Sequence, residues 1–251
     1  MQDKPRHRRV GIVVQARVGS KRLPSKVMMK IEDTPMIGWV LRRLEMVADD
    51  HILICAIPDN NENNVLETFC ENLGVHVIRG PEEDVLARYM MAVDKFDLSD
   101  IVRITADCPL IDFRIIAAVR EIHFKGDWDL SANLVGTAKS FPRGMDVEIV
   151  KASALYSISK IAQAEKFREH VTLYFYENPA DFRVKLIAPP VRQARPDLRL
   201  CVDEPADLKQ VRKIYNHFLP KTDFSLDDII AFLELNPEIA ILNKDVEQKL
   251  Y

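Results

Sequence analysis

Residues 10–16 read VGIVVQA, a continuous apolar run close to the amino terminus. A strand that is apolar at nearly every position is typical of a parallel sheet, because helices cover both of its faces. Similar runs follow at 52–57 (ILICAI), 75–78 (VHVI) and 100–105 (DIVRIT), each separated from the next by a stretch of helical length. This alternation predicts an α/β protein, a three-layer sandwich with a mostly parallel, Rossmann-like sheet.

The stretches between these runs carry apolar residues at helical spacing. The sequence predicts helices over 35–48, 62–73, 82–96 and 113–124. From Trp128 onward the alternation loosens, and the predicted elements become shorter. They are strands at 146–150, 182–187 and 198–202, helices at 165–177 and 205–218, and two short helices within 225–251 that break at Asn236-Pro237.

The composition is that of an ordinary globular protein. The 251 residues carry a net charge of −3, with 47% apolar and 29% charged residues, which excludes the disordered and collagen-like classes. A nearly neutral chain has no overall field for nucleic acid or an anionic membrane, so neither is expected as a partner. The four cysteines form no CxxC pair, and no apolar run approaches the roughly 20 residues that span a bilayer. Residues 1–9 lack an apolar signal stretch, so we expect a cytoplasmic protein with a flexible basic tail.

The loop after the first predicted strand is rich in cations. Residues 15–26 read QARVGSKRLPSK, in which Gly19 and Ser20 leave the backbone free to curl. Its cations are Arg17, Lys21, Arg22 and Lys26. Cations and exposed backbone N–H groups at the end of a buried strand suit a polyphosphate, and a solvated basic turn is the alternative. The loop has neither the GK[ST] of a Walker loop nor a GxGxxG fingerprint, so a Rossmann dinucleotide site is not predicted.

Two acidic loops are predicted at the same edge of the sheet. Residues 105–112 (TADCPLID) place Asp107 after a strand, and residues 201–207 (CVDEPAD) place Asp203 before a helix. In such sheets, ligands bind at the carboxyl ends of the strands. If the two carboxylates meet there, they form a Mg²⁺ site that faces the cationic loop. The alternative is that Asp203 caps the following helix, a role that is expected more strongly for Asp207.

Several motifs resemble one family, in order along the chain. Residues 15–26 resemble the x-A-R-x-x-S-x-R-L-P-x-K signature of the sugar-acid cytidylyltransferases, which are the CMP-Kdo and CMP-sialate synthetases. The SpsF (spore-coat polysaccharide) branch of that family is more similar still, over about residues 10–215. The other motifs that carry this resemblance are 79–89 (RGPEEDVLARY), 103–112 (RITADCPLID), 142–148 (PRGMDVE), 168–172 (REHVT) and 202–208 (VDEPADL).

The resemblance implies a nucleotide-diphospho-sugar transferase-like fold, CTP as the nucleotide, Mg²⁺ on Asp107 and Asp203, and a homodimer. The groups implied to hold the triphosphate, and to act as catalytic residues, are Arg17, Arg22 and Lys26. The residues implied around the nucleotide are Ala16, Arg17, Gly19, Ser20, Arg22, Lys26, Asp59, Arg79, Arg88, Ala106 and Asp107. The chain departs from the Kdo synthetases at Ser25, where they carry glycine before the signature lysine, so this loop is expected to be less free.

The acceptor side is implied by the motifs after residue 140, where the sequence differs from the Kdo and sialate enzymes. The candidate acceptor-binding residues are Arg143, Asp146, Glu148, Arg168, Glu169 and His170. Asp146 and Glu148 alternate on a predicted strand and would share one face, which is a solvated face in the alternative interpretation. Glu169 and His170 form an acid–base pair in one interpretation. In the other, His170 packs in the core or at an interface, since the neighbouring apolar residues follow helical spacing.

The leading hypothesis is a cytidylyltransferase that transfers CMP from CTP to an acidic acceptor, a sugar acid or similar, and releases pyrophosphate for surface polysaccharide or glycoconjugate biosynthesis. The first alternative is transfer to a non-sugar phosphate or phosphonate. The others are a glycosyltransferase that uses Asp127-Trp128-Asp129 as a DxD motif, and a nucleotide-binding subunit without turnover. Residues 10–251 are expected to form a single nucleotidyltransferase domain, in which 128–178 is a less regular region for the acceptor and the dimer contact.

Overall fold

The first apolar run forms a strand in the interior of the sheet and is covered on both faces, as its sequence predicts. The computed structural model describes residues 8–48, 50–133 and 140–247. In the strand Val10–Gln15, Ile12 and Val14 belong to the core on one side of the sheet and Val13 to the core on the other. All three side chains are completely buried. Because helices cover both faces, the predicted three-layer arrangement is confirmed.

The sheet is mixed but mostly parallel. The strands are β1 (Val10–Gln15), β2 (Lys30–Ile31), β3 (Thr34–Pro35), β4 (Ile52–Pro58), β5 (His76–Gly80), β6 (Asp100–Thr105), β7 (Leu130–Asn133), β8 (Glu148–Lys151) and β9 (Val184–Ile187). Within the described residues, seven of them form one sheet in the order β5-β4-β1-β6-β8-β7-β9, and β2 pairs with β3 separately. β8 runs antiparallel to both of its neighbours, whereas the other pairings of this sheet are parallel.

Several of the helices begin at a capping side chain. They are α1 (Met36–Glu45), α2 (Asn64–Asn72), α3 (Val85–Phe96), α4 (Phe113–Lys125), α5 (Ala152–Ile161), α6 (Glu165–Glu169), α7 (Leu173–Glu177), α8 (Pro205–Phe218), α9 (Leu226–Leu235) and α10 (Pro237–Ala240). The Asp84 carboxylate accepts a hydrogen bond from Ala87 N at the start of α3, and Asp112 accepts one from Arg114 N at the start of α4. These side chains pair backbone N–H groups that the helix itself leaves without partners.

One edge of the sheet gathers the ends of several strands. Gln15 at the end of β1 pairs with Thr105 at the end of β6, and Glu148 at the start of the antiparallel β8 pairs with Arg103. The chain leaves β1 toward β4 on one side, while β6 lies on the other side of β1. The loop after β1 therefore lies where the strand order reverses, which is the usual ligand position in α/β sheets.

Three details of the sequence prediction are wrong. The helix predicted over 165–177 is divided into α6 and α7, because the backbone of His170 leaves the helical region, with φ of −103° and ψ of 58°. The strand predicted over 198–202 is reduced to one bridge, since its N–H groups bond two different segments. The prediction also omits β7 and α5. Helix α5 reads ASALYSISKI, and its three serines and two isoleucines lower the helical propensity.

Some expectations concern residues outside the described ones. Lys4 and Arg6 of the basic tail lie there, and so does the 134–139 part of the predicted acceptor and dimer region. At the end of the tail, Arg8 lies over the ring of Phe124, with Cζ 4.6 Å from the ring centroid. Within the described part of the chain, no helix combines the length and the apolar character that crossing a membrane requires.

Candidate active site

A cavity of about 800 Å³ opens at this edge of the sheet, and its two ends differ in charge. The basic end is formed by the loop after β1, by α3 and by the two acidic loops. Its charged lining residues are Arg17, Lys21, Arg22, Lys26, Arg88, Asp107 and Asp203. The acidic end is formed by β6, by the turn into β8 and by the α6–α7 region. Its charged lining residues are Arg103, Arg143, Asp146, Glu148 and Glu169, with His170 beside them.

At the basic end, Asp107 and Asp203 meet at one cation. Lys26 Nζ lies 2.9 Å from Asp107 Oδ2 and 2.9 Å from Asp203 Oδ1. The same ammonium donates to the main-chain oxygen of Val202, also at 2.9 Å. A hydrogen bond of 2.8 Å from Val202 N to Asp107 O joins the two loops that carry the carboxylates. The structure therefore brings together the two acids that the sequence places on separate loops.

The charges of this cluster stabilise one another. Burial opposes the charged form of Lys26, but Asp107 and Asp203 outweigh burial and raise the pKa of Lys26. Burial likewise opposes the ionised form of Asp107, but Lys26 and a hydrogen bond from Thr105 outweigh it and lower the pKa of Asp107. Both groups are therefore charged at neutral pH.

Asp203 is held by cations and does not cap a helix. Arg22 Nη2 lies 2.8 Å from its Oδ1, and Arg199 Nη2 lies 2.5 Å from its Oδ2. The N-cap of α8 is Glu204, which forms a reciprocal capping box with Asp207. The interpretation of Asp203 as a helix cap is therefore wrong. Asp207 accepts hydrogen bonds from the N–H groups of Asp203 and Glu204, so its expected role at the start of the helix is confirmed.

At the acidic end, Glu148 is bonded by three side chains. Arg103 Nη1 lies 2.6 Å from Glu148 Oε2, and the hydroxyls of Thr172 and Tyr176 donate to Glu148 at 2.9 and 2.6 Å. Burial opposes the charge on Arg103, but Glu148 outweighs burial and raises the pKa of Arg103. The Glu148 side chain is 12% exposed, so the solvated-face interpretation is wrong for this residue. Its hydrogen bonds with Thr172 and Tyr176 link β8 to α7.

Asp146 lies beside Glu148 in the same cavity, on a turn that needs glycine. Its Oδ2 accepts a hydrogen bond from Gly144 N at 3.0 Å, and burial raises the pKa of the Asp146 carboxyl group. Gly144 has a φ of 94°, and a Cβ there would lie 2.5 Å from the backbone nitrogen of Cys201. Only glycine fits this approach, which presses the turn against the segment that leads into Asp203.

The three predicted residues at 168–170 do not act together. Glu169 and His170 line the cavity, with His170 Nε2 4.0 Å from Glu169 Oε2, and burial lowers the pKa of His170. Arg168 instead donates from Nε and Nη2 to Asp84 Oδ2, at 3.0 and 2.5 Å. Because Asp84 caps α3, Arg168 links α6 to the helix that carries Arg88.

The predicted nucleotide residues divide into two groups. Ala16, Ser20 and Ala106 line the basic end together with the charged residues named above. Gly19, Asp59 and Arg79 are not among the lining residues in the described part of the chain. Arg79 Nε lies 3.3 Å from Asp59 Oδ1, and the same guanidinium donates to Glu67. Asp59 and Arg79 therefore form an ion pair beside α2 and do not line the described cavity.

Ser25 adopts the backbone conformation that glycine favours. Its φ of 57° and ψ of 24° lie in the left-handed region, which costs an ordinary residue about 1–2 kcal/mol. Its N–H donates to the main-chain oxygen of Val18 at 3.1 Å and closes the loop. The loop therefore reaches this conformation with serine, at an energetic cost that glycine would not carry.

Three important side chains escaped the sequence interpretation. Arg199 lies in the segment 198–202, which the sequence predicts as a strand, and no residue close to it along the chain marks it as a partner of Asp203. Thr172 lies in a quoted motif, but its hydroxyl gives no local signal of a bond to Glu148. Tyr176 follows on α7 at a spacing that also suits a core aromatic residue. Their partners lie on distant segments, and only the folded chain identifies them.

The DxD candidate is engaged elsewhere. Asp127 forms ion pairs with Lys151 and Arg183, and its side chain is 72% exposed. Asp129 accepts a hydrogen bond of 2.8 Å from Arg183 N. Neither carboxylate is among the cavity residues in the described structure, so this motif gives no support to a glycosyltransferase site.

Comparison with known proteins places the chain among nucleotidyltransferases. Residues 11–230 match the family described as Cytidylyltransferase. The chain is 32% identical over 233 residues to the spore coat polysaccharide biosynthesis protein SpsF of Bacillus subtilis, covering 91% of this chain and 95% of that one. It is 36% identical over 239 residues to the protein MJ1063 of Methanocaldococcus jannaschii, covering 95% and 96%. A solved cytidylyltransferase structure from Leptospira borgpetersenii superimposes with a TM-score of 0.87 at 30% identity, covering 98% and 100%, and confirms the predicted fold.

Proposed function

The chain belongs to the cytidylyltransferase family, and we propose that it transfers CMP from CTP to an acidic acceptor, a sugar acid or similar molecule, with release of pyrophosphate. The family establishes a CTP-dependent nucleotidyltransferase, and the acceptor and the roles of the residues are our proposals. The observation that carries them is the convergence of Asp107 and Asp203 on one cation beside a cationic loop.

The basic end of the cavity supports binding of the triphosphate. Five cations face two carboxylates there, which suits a ligand that carries several negative charges. We assign Arg17, Arg22 and Lys26 to the β- and γ-phosphates, where negative charge grows as the bond to the α-phosphorus breaks. Arg88 supports a nucleotide contact as well. It is 3% exposed, and its Nε has no hydrogen-bond partner among the described residues, so it gains from an acceptor atom on the ligand.

The two carboxylates fit a divalent cation. Mg²⁺ is usually bound in proteins by one or two carboxylates together with substrate phosphates. Asp107 and Asp203 offer oxygens to one point from separate loops, and the Lys26 ammonium marks that point as a cation position. A metal held by Asp107 and Asp203 would neutralise charge on the phosphates. Lys26 would then be left to donate a hydrogen bond to a phosphate oxygen.

The acidic end supports an acceptor with one negative charge and several hydroxyl groups. Arg143 offers a guanidinium for the negative charge, while Asp146 and Glu148 are hydrogen-bond acceptors for hydroxyls. Three carboxylates against two guanidinium groups disfavour a dianionic phosphate or phosphonate, because like charges repel strongly in a partly buried site. We therefore favour a sugar acid. Glu169 and His170 are assigned to the same acceptor.

In the proposed reaction, an acceptor oxygen attacks the α-phosphorus of CTP in line. The bond between this oxygen and the α-phosphorus forms, the acceptor hydroxyl releases its proton to solvent, the bond from the α-phosphorus to the oxygen of the β-phosphate breaks, and pyrophosphate leaves. The residues act by position and charge, with no covalent intermediate on the protein. A role in surface polysaccharide biosynthesis is supported by the name of the Bacillus subtilis relative.

The test is pyrophosphate release with each of the four nucleoside triphosphates, with Mg²⁺ or EDTA, against a panel of sugar acids, phosphates and phosphonates. We expect release only with CTP, Mg²⁺ and a sugar acid. Equal release with a phosphonate would contradict the acceptor assignment, and release in EDTA would contradict the metal assignment. The Asp107→Asn variant is the matched check, because unchanged binding of Mg²⁺ and CTP would exclude Asp107 as a metal ligand.

A further inference from the structure

The C-terminal segment, residues 219–247, has no role in the function proposed above. Residues 231–247 lie beyond the part of the chain that matches the family, and no side chain of 226–247 is among the described lining of the cavity. The segment nevertheless carries a deeply buried polar side chain, Asn243, which is 4% exposed. A buried amide is costly unless it is hydrogen-bonded, so its partners are informative.

Asn243 bonds a buried carboxylate next to the active site. Its Nδ2 donates to Asp207 Oδ1 at 2.8 Å and to the main-chain oxygen of Arg199 at 3.0 Å. Its Oδ1 accepts a hydrogen bond of 3.0 Å from Gln210 on α8, which fixes the orientation of the amide. Asp207 is 0% exposed, so water cannot replace any hydrogen bond that this buried carboxylate loses.

Asp207 in turn orients the guanidinium that holds Asp203. Arg199 Nε donates to Asp207 Oδ1 at 3.0 Å, and its Nη2 donates to Asp203 Oδ2 at 2.5 Å. This leaves Asp203 Oδ1 facing Lys26 and Arg22 at the basic end. A continuous chain of hydrogen bonds therefore runs from Asn243 to a carboxylate of the active site.

The C-terminal segment also forms hydrogen bonds with the loop 105–112, which carries Asp107, the other carboxylate of the basic end. Leu226 N, at the start of α9, donates to Asp112 Oδ2 at 2.7 Å. The buried guanidinium of Arg43 donates to the main-chain oxygen of Ile111 at 2.6 Å and to that of Phe224 at 2.7 Å. Both acidic loops are thus fastened to elements that follow α8.

We propose that Asn243 is a positioning residue that fixes the carboxylate of Asp203 through Asp207 and Arg199, so that the C-terminal segment serves the active site. When the Asn243 amide is removed, Asp207 Oδ1 loses one of its hydrogen bonds and keeps the one from Arg199 Nε. The guanidinium is then drawn toward Asp207 and away from Asp203. The inference rests on the proposed function, because it takes Asp203 as a metal ligand.

The test uses Asn243→Ala and the nearly isosteric Asn243→Leu, which keeps the volume if the alanine variant does not fold. Binding of Mn²⁺ is measured in the presence of CTP and the absence of acceptor, from the electron paramagnetic resonance signal of free Mn²⁺. We expect Mn²⁺ affinity and kcat to fall about 10-fold, at the lower end of the range for groups that support metal ligands, while KM for CTP stays within about threefold.

Asn236→Ala is the matched control. Asn236 lies in the same segment and donates from Nδ2 to the main-chain oxygen of Phe232 at 2.8 Å, so its removal costs a similar hydrogen bond without touching Asp207. We expect a lower Tm but unchanged Mn²⁺ affinity. The double variant Asn243→Ala with Arg199→Lys is expected to lose no more Mn²⁺ affinity than Arg199→Lys alone, because both substitutions act on the same hydrogen bond to Asp203.

The outcomes separate the two proposals. If the wild-type protein is active and the Asn243 variants bind Mn²⁺ as Asn236→Ala does, the positioning role is overturned while the proposed function stands. Losses that multiply in the double variant would exclude a relay through Arg199. If the wild-type protein neither binds Mn²⁺ with CTP nor releases pyrophosphate, the proposed function fails, and this inference fails with it.

Discussion

The basic and acidic ends of the cavity differ in construction as well as in charge. Loops that follow the parallel strands β1 and β6 form much of the basic end, whose central contact joins Lys26 to Asp107 and Asp203. The acidic end is built around the antiparallel strand β8 and the short helices α6 and α7, and its central contact joins Arg103 to Glu148. One end concentrates positive charge, and the other has more carboxylates than guanidinium groups.

The difference shows how the sequence specifies the two ends of the cavity. Parallel strands place their carboxyl ends at one edge whatever the side chains are, so a cationic loop in the sequence becomes a cationic site. Around an antiparallel strand, the chain reaches the same edge by turns and short helices that are held by individual bonds. Glu148 is an example, since three side chains from other segments hold it.

Removal of the central cation tests the basic end and should have the largest effect. We expect Lys26→Ala to lower kcat at least about 10²-fold, the scale for loss of one preorganised group that stabilises charge in the transition state. Lys30→Ala is the control, because this lysine is exposed and only four residues away. Steady-state pyrophosphate release measures both variants. If kcat of Lys26→Ala stayed near the wild-type value, the basic end would have no special part in catalysis.

Gly144 tests the junction between the two ends. We expect Gly144→Ala to lower the free energy of unfolding by about 2–4 kcal/mol, because the new Cβ adds a clash with backbone atoms to the cost of a positive φ. Gly74→Ala is the matched control. Gly74 has a φ of 74° and nothing within 4 Å of its Cβ position, so it carries only the conformational cost of about 1–2 kcal/mol. Urea unfolding compares them, and equal losses would show that the contact with Cys201 is unimportant.

Asp146 tests the acidic end through pH. Its pKa is raised by burial, so the folded protein holds this proton more tightly than the unfolded chain, and stability is lost as the pH rises above the ordinary value of 3.8. We expect Asp146→Asn to raise Tm at pH 7 and to lower turnover, with the gain in Tm narrowing as the pH approaches 3.8.

Asp197 supplies the opposite case on the surface. A hydrogen bond from Arg195 lowers the pKa of Asp197, so its contribution to stability is present above the ordinary value and is lost as the pH falls through the lowered one. Asp197→Asn should therefore not raise Tm at pH 7. Thermal scans between pH 4 and 8 compare the Asp146→Asn and Asp197→Asn variants. A gain in Tm for Asp197→Asn alone would contradict the opposite directions given for the pKa values of these two carboxyl groups.

Ser25 offers the smallest effect and tests whether the cationic loop is strained. We expect Ser25→Gly to stabilise the protein by about 0.5 kcal/mol, since relief of the left-handed conformation is partly offset by the greater freedom of glycine in the unfolded chain. The KM for CTP should not change, because the loop keeps its shape. A clear loss of Tm on Ser25→Gly would mean that the serine side chain stabilises the loop.

Much of the first half of the fold, and half of the site, could be predicted from the sequence. Apolar periodicity is a local property, so residues 10–16 and 100–105 are recognised as strands, and the structure places them side by side as β1 and β6. The cationic loop 15–26 follows the first of them. The later elements are predicted less well. Helix α5 is rich in serine, and residues 198–202 share their N–H groups between Arg143 and Asp107 instead of forming a ladder.

The alternation of strands and helices and the chemical character of the loops follow from the amino-acid sequence alone, because both depend on residues that are close along the chain. Which side chains meet depends on the folded chain. Lys26 stands between Asp107 and Asp203, which are 81 and 177 residues away, and Asn243 bonds Asp207 across 36 residues. Such partners are selected by packing, because a buried charge or amide is stable only where the folded chain brings it a matching group.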